Sequence, residues 1–151
     1  MATNITVLEN CRSLFLDTAP LIYYVENNPR YCTLVEPIFD NIDNGMLTVV
    51  TSPITLAECL IFPYRTKSAV LEKAFYELIT QGENTLFVPT NDVIAQQAAK
   101  LRGRYNLSLT DALQVATAII TQCDGFLTND IDLKRVQEIN VIVIDDWIEK
   151  L

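Results

Sequence analysis

Four acidic residues carry most of the chemistry this chain can offer. Asp17 follows the apolar run Leu14-Phe15-Leu16, and Asp130 follows Phe126-Leu127-Thr128-Asn129. Glu58 stands among Leu56, Ala57, Cys59 and Leu60, and a charged side chain in a buried apolar patch needs a metal or a donor. Asp111 stands three residues after Ser108, at the start of the apolar stretch Ala112-Leu-Gln-Val-Ala-Thr-Ala118. Carboxylates gathered without lysine or arginine between them repel and raise one another's pKa unless a cation is bound. Mg²⁺ and Mn²⁺ suit a carboxylate-and-water site and also engage phosphate oxygens. The chemistry this implies is metal-assisted phosphodiester hydrolysis, with water activated at the cation and developing charge stabilised there.

Each acid also has a structural account. Asp17 caps a following helix, Asp111 completes a capping-box variant with Ser108, and Asp130 caps a short helix over Ile131–Val136. Asp132 competes with Asp130 for the ligand role, and position directly after a strand favours Asp130. The two accounts are compatible, because one carboxylate can accept an N–H bond and still offer an oxygen to a metal. Asp92, Asp145 and Asp146 begin helices, where the macrodipole favours acids, and read as structural. Glu26, at a helix end, is a candidate neighbour of the site.

Composition removes several alternatives. The 151 residues contain no histidine, which excludes Ser-His-Asp and Cys-His catalysis and every His-ligated zinc or iron site. Cys11, Cys32, Cys59 and Cys123 have no C-x-x-C spacing and fit a reduced compartment, with Cys59 and Cys123 packing as small hydrophobes. A formal net charge of −8 argues against coating nucleic acid by bulk electrostatics, so any phosphate contact must be local. The candidates are Arg65 with Lys67, and Arg102 with Arg104 beside Lys100; Lys134 and Arg135 form a third cluster. Each cluster also reads as a solvated helix face, and Arg102 and Arg104 stand near a helix C-terminus, which favours cations in any case. Tyr23 and Tyr24 could stack on a base, but core packing beside Leu21 and Ile22 is expected for at least one of them. No apolar stretch approaches a membrane span and no signal-peptide pattern opens the chain, so a soluble, cytoplasmic protein with no membrane role is expected.

The elements that must position these acids alternate. Strands are expected at Leu14–Leu16, Met46–Thr51, Leu86–Val88, Gly125–Thr128 and Val141–Ile144. Between them the apolar stripes predict helices over Thr18–Glu26, Tyr31–Asp43, Ser52 to Pro63, Thr66–Gln81, Asp92–Tyr105 and Ser108–Ala118. Pro37 predicts a kink or a late start in the second of these, and Pro63 closes the third. A last helix is expected from Asp145. Alternation throughout implies a parallel sheet with helices on both faces in one domain. In such sheets ligands bind outside the carboxyl ends of the strands, the rim that Asp17 and Asp130 leave and that Glu58 and Asp111 can face.

On four ordered segments the chain resembles the PIN-domain nucleases of the VapC-like toxin group. They are Phe15-Leu-Asp17-Thr-Ala-Pro-Leu-Ile-Tyr-Tyr24, Ser52-Pro-Ile-Thr-Leu-Ala-Glu58, Tyr105-Asn-Leu-Ser-Leu-Thr-Asp111-Ala-Leu and Phe126-Leu-Thr-Asn-Asp130. Each alone is weak, and four in order along nearly the whole length are specific. The resemblance implies a single PIN-like domain over residues 1–151, a three-layer α/β/α fold around a central parallel sheet. It implies that Asp17, Glu58, Asp111 and Asp130 are the catalytic acids and bind Mg²⁺ or Mn²⁺, with Thr128 and Asn129 as polar support. It also implies cleavage of single-stranded RNA, a cognate antitoxin partner, and a homodimer. Two rival readings use the same acids. One is a receiver-like domain in which an Asp accepts a phosphoryl group, although Asp17 is not paired with a second acid and no lysine ends the strand Gly125–Thr128. The other is a non-catalytic or regulatory binding module that keeps the acidic pocket.

Overall fold

Five short strands run parallel through the middle of the computed structural model, which describes residues 8–148. They are β1 (Ser13–Leu16), β2 (Thr48–Thr51), β3 (Thr85–Phe87), β4 (Gly125–Thr128) and β5 (Val141–Val143), in the spatial order β3-β2-β1-β4-β5. Six helices connect and cover them: α1 (Thr18–Val25), α2 (Cys32–Asp43), α3 (Pro53–Arg65), α4 (Ala69–Gln81), α5 (Asp92–Tyr105) and α6 (Leu109–Ile120). The result is the three-layer α/β/α arrangement that the alternation implies.

Period-two alternation decides what each strand buries. Leu14 and Leu16 of β1 join an apolar cluster with Val35 and Ile38 of α2 and Phe75 and Ile79 of α4. Phe15 points the other way, into a cluster with Ile94 and Ala98 of α5 and Val115 and Ala116 of α6. There it stacks on Phe126 of β4, with ring centroids 5.1 Å apart. Because both faces of the sheet are covered, β1 and β4 are buried along almost their whole length and read as continuous apolar runs.

At the amino end of these strands, Asp124 Oδ2 accepts the N–H groups of Arg12 at 2.8 Å and Ser13 at 3.1 Å. The Asp124 N–H in turn donates to Ser13 O at 2.9 Å. These bonds fix the register that pairs Leu16 with Leu127 at the other end. No helix among the described residues is long and apolar enough to cross a membrane.

Several boundaries differ from expectation. α2 begins at Cys32 and runs through Pro37, so there is no late start; the carbonyl that Pro37 leaves without a donor belongs to Thr33, on the exposed face. α3 continues past Pro63 to Arg65 because the carbonyls of the last turn are taken by Thr66 N–H and Ser68 N–H. Ser68 rather than Thr66 then opens α4, its Oγ accepting from Leu71 N–H. β3 begins one residue early, and β2 begins at Thr48. The short helix after Asp130 is a 3-10 turn over Ile131–Arg135. The expected last helix is likewise a 3-10 turn over Ile144–Trp147, with residues 149–151 outside the described chain.

Candidate active site

From β1 the chain moves first toward β2 and β3, and later crosses to β4 and β5 on the other side. The crevice outside the carboxyl ends of β1 and β4 is therefore where the winding reverses, the place where open α/β sheets bind ligands. Asp17 stands there. Its N–H extends the ladder to Leu127 O at 3.0 Å. Oδ1 of its carboxylate accepts the Thr18 N–H at 2.9 Å, capping α1, and Oδ2 accepts the Thr128 hydroxyl at 2.8 Å. Burial pushes the Asp17 pKa up, these two bonds hold part of the rise back, and the charges of Asp111 and Asp130 add to it.

Asp111 reaches the same crevice from the first turn of α6. Ser108 makes the N-cap, with Oγ accepting the Asp111 N–H at 3.2 Å. The reciprocal half of a capping box is not formed: among the described residues no backbone N–H donates to the Asp111 carboxylate. Burial and then the charge of Asp130 raise its pKa, against a lowering contribution from the Ser108 hydroxyl. Glu58 points in from α3. Partial burial raises its pKa first, followed by the charges of Asp17 and Asp111. The sequence places Glu58 in an apolar patch, but Ala57 and Glu58 both lie on the exposed side of α3, with Cys59 and Thr55 facing inward. Its role cannot be argued from a buried unpartnered charge, only from its neighbours across the crevice.

Asp130 is exposed and caps the following turn, Oδ1 accepting the Asp132 N–H at 3.0 Å. Its own N–H donates to Thr128 Oγ1 at 3.1 Å. Thr128, fully buried, therefore links Asp17 to Asp130. Asn129 faces away from the acids, donating to Tyr23 OH at 2.9 Å and accepting the Asp145 N–H at 2.8 Å. Between Asp130 and Asp132, it is the Asp130 charge that acts on Asp17 and Asp111.

The donor set, four carboxylates with neighbouring hydroxyls, fits a hard divalent cation in kind. None of the four carboxylates is in an ion pair among the described residues. Beside them Thr18 Oγ1 is buried without a hydrogen-bond partner, although it stands near enough to Glu58 to offset some of its pKa rise. An unsatisfied buried hydroxyl beside a carboxylate is what a site built for a cation and its waters leaves over. The acids are nevertheless close enough to repel rather than gathered for coordination. Among the described residues no three His, Cys, Asp or Glu side chains form a group that could hold a metal ion. Burial pushes the Cys59 thiol far up, so beside Glu58 it packs as a small apolar group.

The basic candidates are differently placed. Arg102 Nη1 donates to Leu107 O at 2.5 Å and Arg104 pairs with Glu138 at 3.5 Å, so both brace the end of α5 and the loop that leads to Asp111. Arg65 ends α3 and Lys67 lies in the turn after it, with Arg65 two helical turns, about 10 Å, beyond Glu58. Tyr24 stacks on Phe39 as a core residue, and Tyr23 stacks on Tyr31 at 4.2 Å. Sequence reading passes over Thr18 and Gln114. The available signal for Gln114 was a polar residue between Leu113 and Val115, one turn from Asp111 on the same helix face.

No curated protein matches the chain. Solved structures do. VapBC2 from Rickettsia felis, bound to a DNA fragment from its promoter, aligns with TM-score 0.68 and 17% identity over 87% of this chain and 98% of that one. VapC20 of Mycobacterium tuberculosis, a Sarcin-Ricin loop cleaving toxin, aligns with TM-score 0.66 and 14% identity over 84% and 98%. FitAcB from Neisseria gonorrhoeae gives TM-score 0.66 and 18% identity over 87% and 97%. At these identities the likeness is one of fold. The family model described as PIN domain matches residues 14–139, from the first residues of β1 to the approach of β5 and across all four acids, and the chain belongs to the PIN-domain family.

Proposed function

We propose that this protein is a Mg²⁺- or Mn²⁺-dependent endoribonuclease that hydrolyses phosphodiester bonds of single-stranded RNA and is the toxin of a toxin–antitoxin pair. The observation that carries the reading is the convergence of Asp17, Glu58 and Asp111, each with a raised pKa, and Asp130 on one crevice without a paired cation among the described residues. A bound divalent ion supplies Lewis acidity toward a phosphate oxygen and a more acidic water. The chain's own part is to hold the ligands. Asp17 is oriented by Thr128 and the α1 N-terminus, Asp111 by the first turn of α6, and Asp130 by Thr128. A carboxylate of this group left free by the cation would be the one to take a proton from water. Arg65, Lys67, Arg102 and Arg104 are the proposed contacts for RNA phosphates in a chain of net charge −8.

A cognate antitoxin is supported by the complexes among the similar structures and by a surface feature of this chain. Ile61, Phe62 and Tyr64 of α3 and Val70 at the start of α4 are 48–81% exposed, an apolar surface that a protein partner would cover. A homodimer is proposed on the family resemblance alone. Incubating RNA with wild type and Asp111→Asn, with and without chelator, tests the reading. Cleavage is expected only for wild type with metal, and equal cleavage by both, or cleavage indifferent to chelator, overturns it.

One observation favours the non-catalytic binding module: no three acids are gathered in a metal-holding group among the described residues. Calorimetric titration with Mn²⁺ separates the two, since heat abolished by Asp17→Asn is expected of the nuclease and absent from an inert pocket. The receiver-like reading is set aside by topology, because the order β3-β2-β1-β4-β5 is not the 2-1-3-4-5 order of receiver domains.

A further inference from the structure

Beneath the carboxylates one buried polar chain ties three elements together. The Thr55 N–H donates to Ser52 Oγ at 3.2 Å, and the Ser52 hydroxyl donates to Gln114 Oε1 at 2.5 Å. Gln114 Nε2 donates to Thr55 Oγ1 at 2.6 Å, and the Thr55 hydroxyl donates to Leu16 O at 3.4 Å. Ser52, Thr55 and Gln114 are at most 1% exposed.

Each anchoring point is one step from an acid. Leu16 precedes Asp17, Thr55 stands three residues before Glu58 on α3, and Gln114 stands three residues after Asp111 on α6. Residues three apart on a helix are neighbours one turn along, so Thr55 and Gln114 stand one turn from Glu58 and Asp111 on the inward side, beneath the more exposed acids. The apolar core does not do the same work. Cys59 of α3 belongs to one cluster and Val115 of α6 to the other, on opposite faces of the sheet, so neither cluster sets one helix against the other. A satisfied buried network rigidifies what it joins, and an apolar side chain at position 114 would avoid the cost of burying an amide.

We propose that Gln114 is a positioning residue: through Ser52 and Thr55 it clamps α3, α6 and the end of β1, keeping Glu58, Asp111 and Asp17 on one crevice against their mutual repulsion, where a cation can draw them together. This rests on the metal-dependent reading above. The clamp acts on the metal site rather than on RNA binding.

The test is Mn²⁺ titration calorimetry on full-length wild type, Gln114→Met, Thr55→Val, the double variant and Ile79→Val, a core control whose side chain is outside the hydrogen-bonded network, with steady-state cleavage alongside. Each single network variant is expected to weaken Mn²⁺ binding about tenfold or more and to lower kcat at saturating RNA with KM unchanged. The double variant is expected to do no worse than the weaker-binding single variant, since both cut the same chain. Ile79→Val should bind Mn²⁺ as wild type does. Thr55→Val removes one hydroxyl at nearly constant shape and carries the test alone if Gln114→Met does not fold. Wild-type Mn²⁺ affinity in a folded network variant overturns the clamp. Absence of Mn²⁺ binding in wild type overturns the nuclease reading, and the clamp with it.

Discussion

The Thr128 hydroxyl donates to Asp17 Oδ2 at 2.8 Å, and Thr128 Oγ1 accepts the Asp130 N–H at 3.1 Å. One fully buried hydroxyl thus joins two acids across the crevice between β1 and β4. Thr128→Val keeps the shape and removes both bonds, leaving a carboxylate and an N–H without their partner. Stability measured by urea unfolding is expected to fall by about 1–3 kcal/mol. The Asp17 pKa, relieved of the bond that lowers it, should rise further by carboxyl NMR, and Thr128→Ser should restore it. An unchanged Asp17 titration in the valine variant would show that the hydroxyl does not tune that acid.

The pH dependence of metal-free stability follows from the same acids. Asp17, Glu58 and Asp111 are all raised, burial first in each case, so the folded chain holds these protons more tightly than the unfolded chain. Their contribution to stability is fully present below the unfolded values, near pH 4, and is lost as pH rises through the raised folded values. Melting temperature in chelator should therefore decline from about pH 4 toward neutrality, and Mn²⁺ should restore it at neutral pH. Asp111→Asn should flatten the decline. A variant that keeps the full wild-type slope would contradict the assignment.

The α/β/α layering was legible because strands and helices alternate and β1 and β4 are short apolar runs, a pattern that covered central strands impose; the strand order was not, because pairing joins distant stretches. Ser108 could be read as part of a helix cap because capping is local chemistry, and it accepts the N–H three residues on, as Ser52 and Asn91 also do. What was not legible depends on context beyond the local stretch. Pro63 breaks a helix in isolation, yet α3 carries on because residues 66 and 68 supply donors. Leu109 is apolar yet 57% exposed, while the polar Gln114 is buried beside Val115 and Ala116, so a stripe read from apolar residues alone leaves out the buried amide of α6. Glu58 shows the same limit, since its apolar sequence neighbours do not surround it in space.

Core energetics give a prediction independent of the site. Phe126 stacks on Phe15 with both rings fully buried between the sheet and the α5 and α6 layer. Phe126→Ala should cost about 3–5 kcal/mol, measured by urea unfolding, and Phe126→Leu distinctly less. Mn²⁺ affinity of the leucine variant should stay at the wild-type value, since no acid bonds to that ring. A large loss of affinity with a small loss of stability would mean that the β1–β4 packing tunes the crevice directly.

Asp124 offers the complementary test at the opposite end of the same two strands. Its carboxylate accepts Arg12 N–H, Ser13 N–H and the Ser13 hydroxyl, and the Arg12 bond is the chief reason its pKa lies below the usual range. That contribution is present above the unfolded pKa and disappears as pH falls through the lowered folded value, the reverse of the crevice acids. Asp124→Ala should therefore lower stability by about 1–2 kcal/mol at neutral pH and by progressively less in acid below about pH 4. Thr128→Val and Asp124→Ala then remove comparable hydrogen bonding from one strand pair at its two ends. Mn²⁺ binding should weaken only for the first, because Asp124 constrains strand register without touching the crevice. If both variants lost metal affinity equally, the register of β1 on β4, rather than the local bonds of Thr128, would be what positions Asp17.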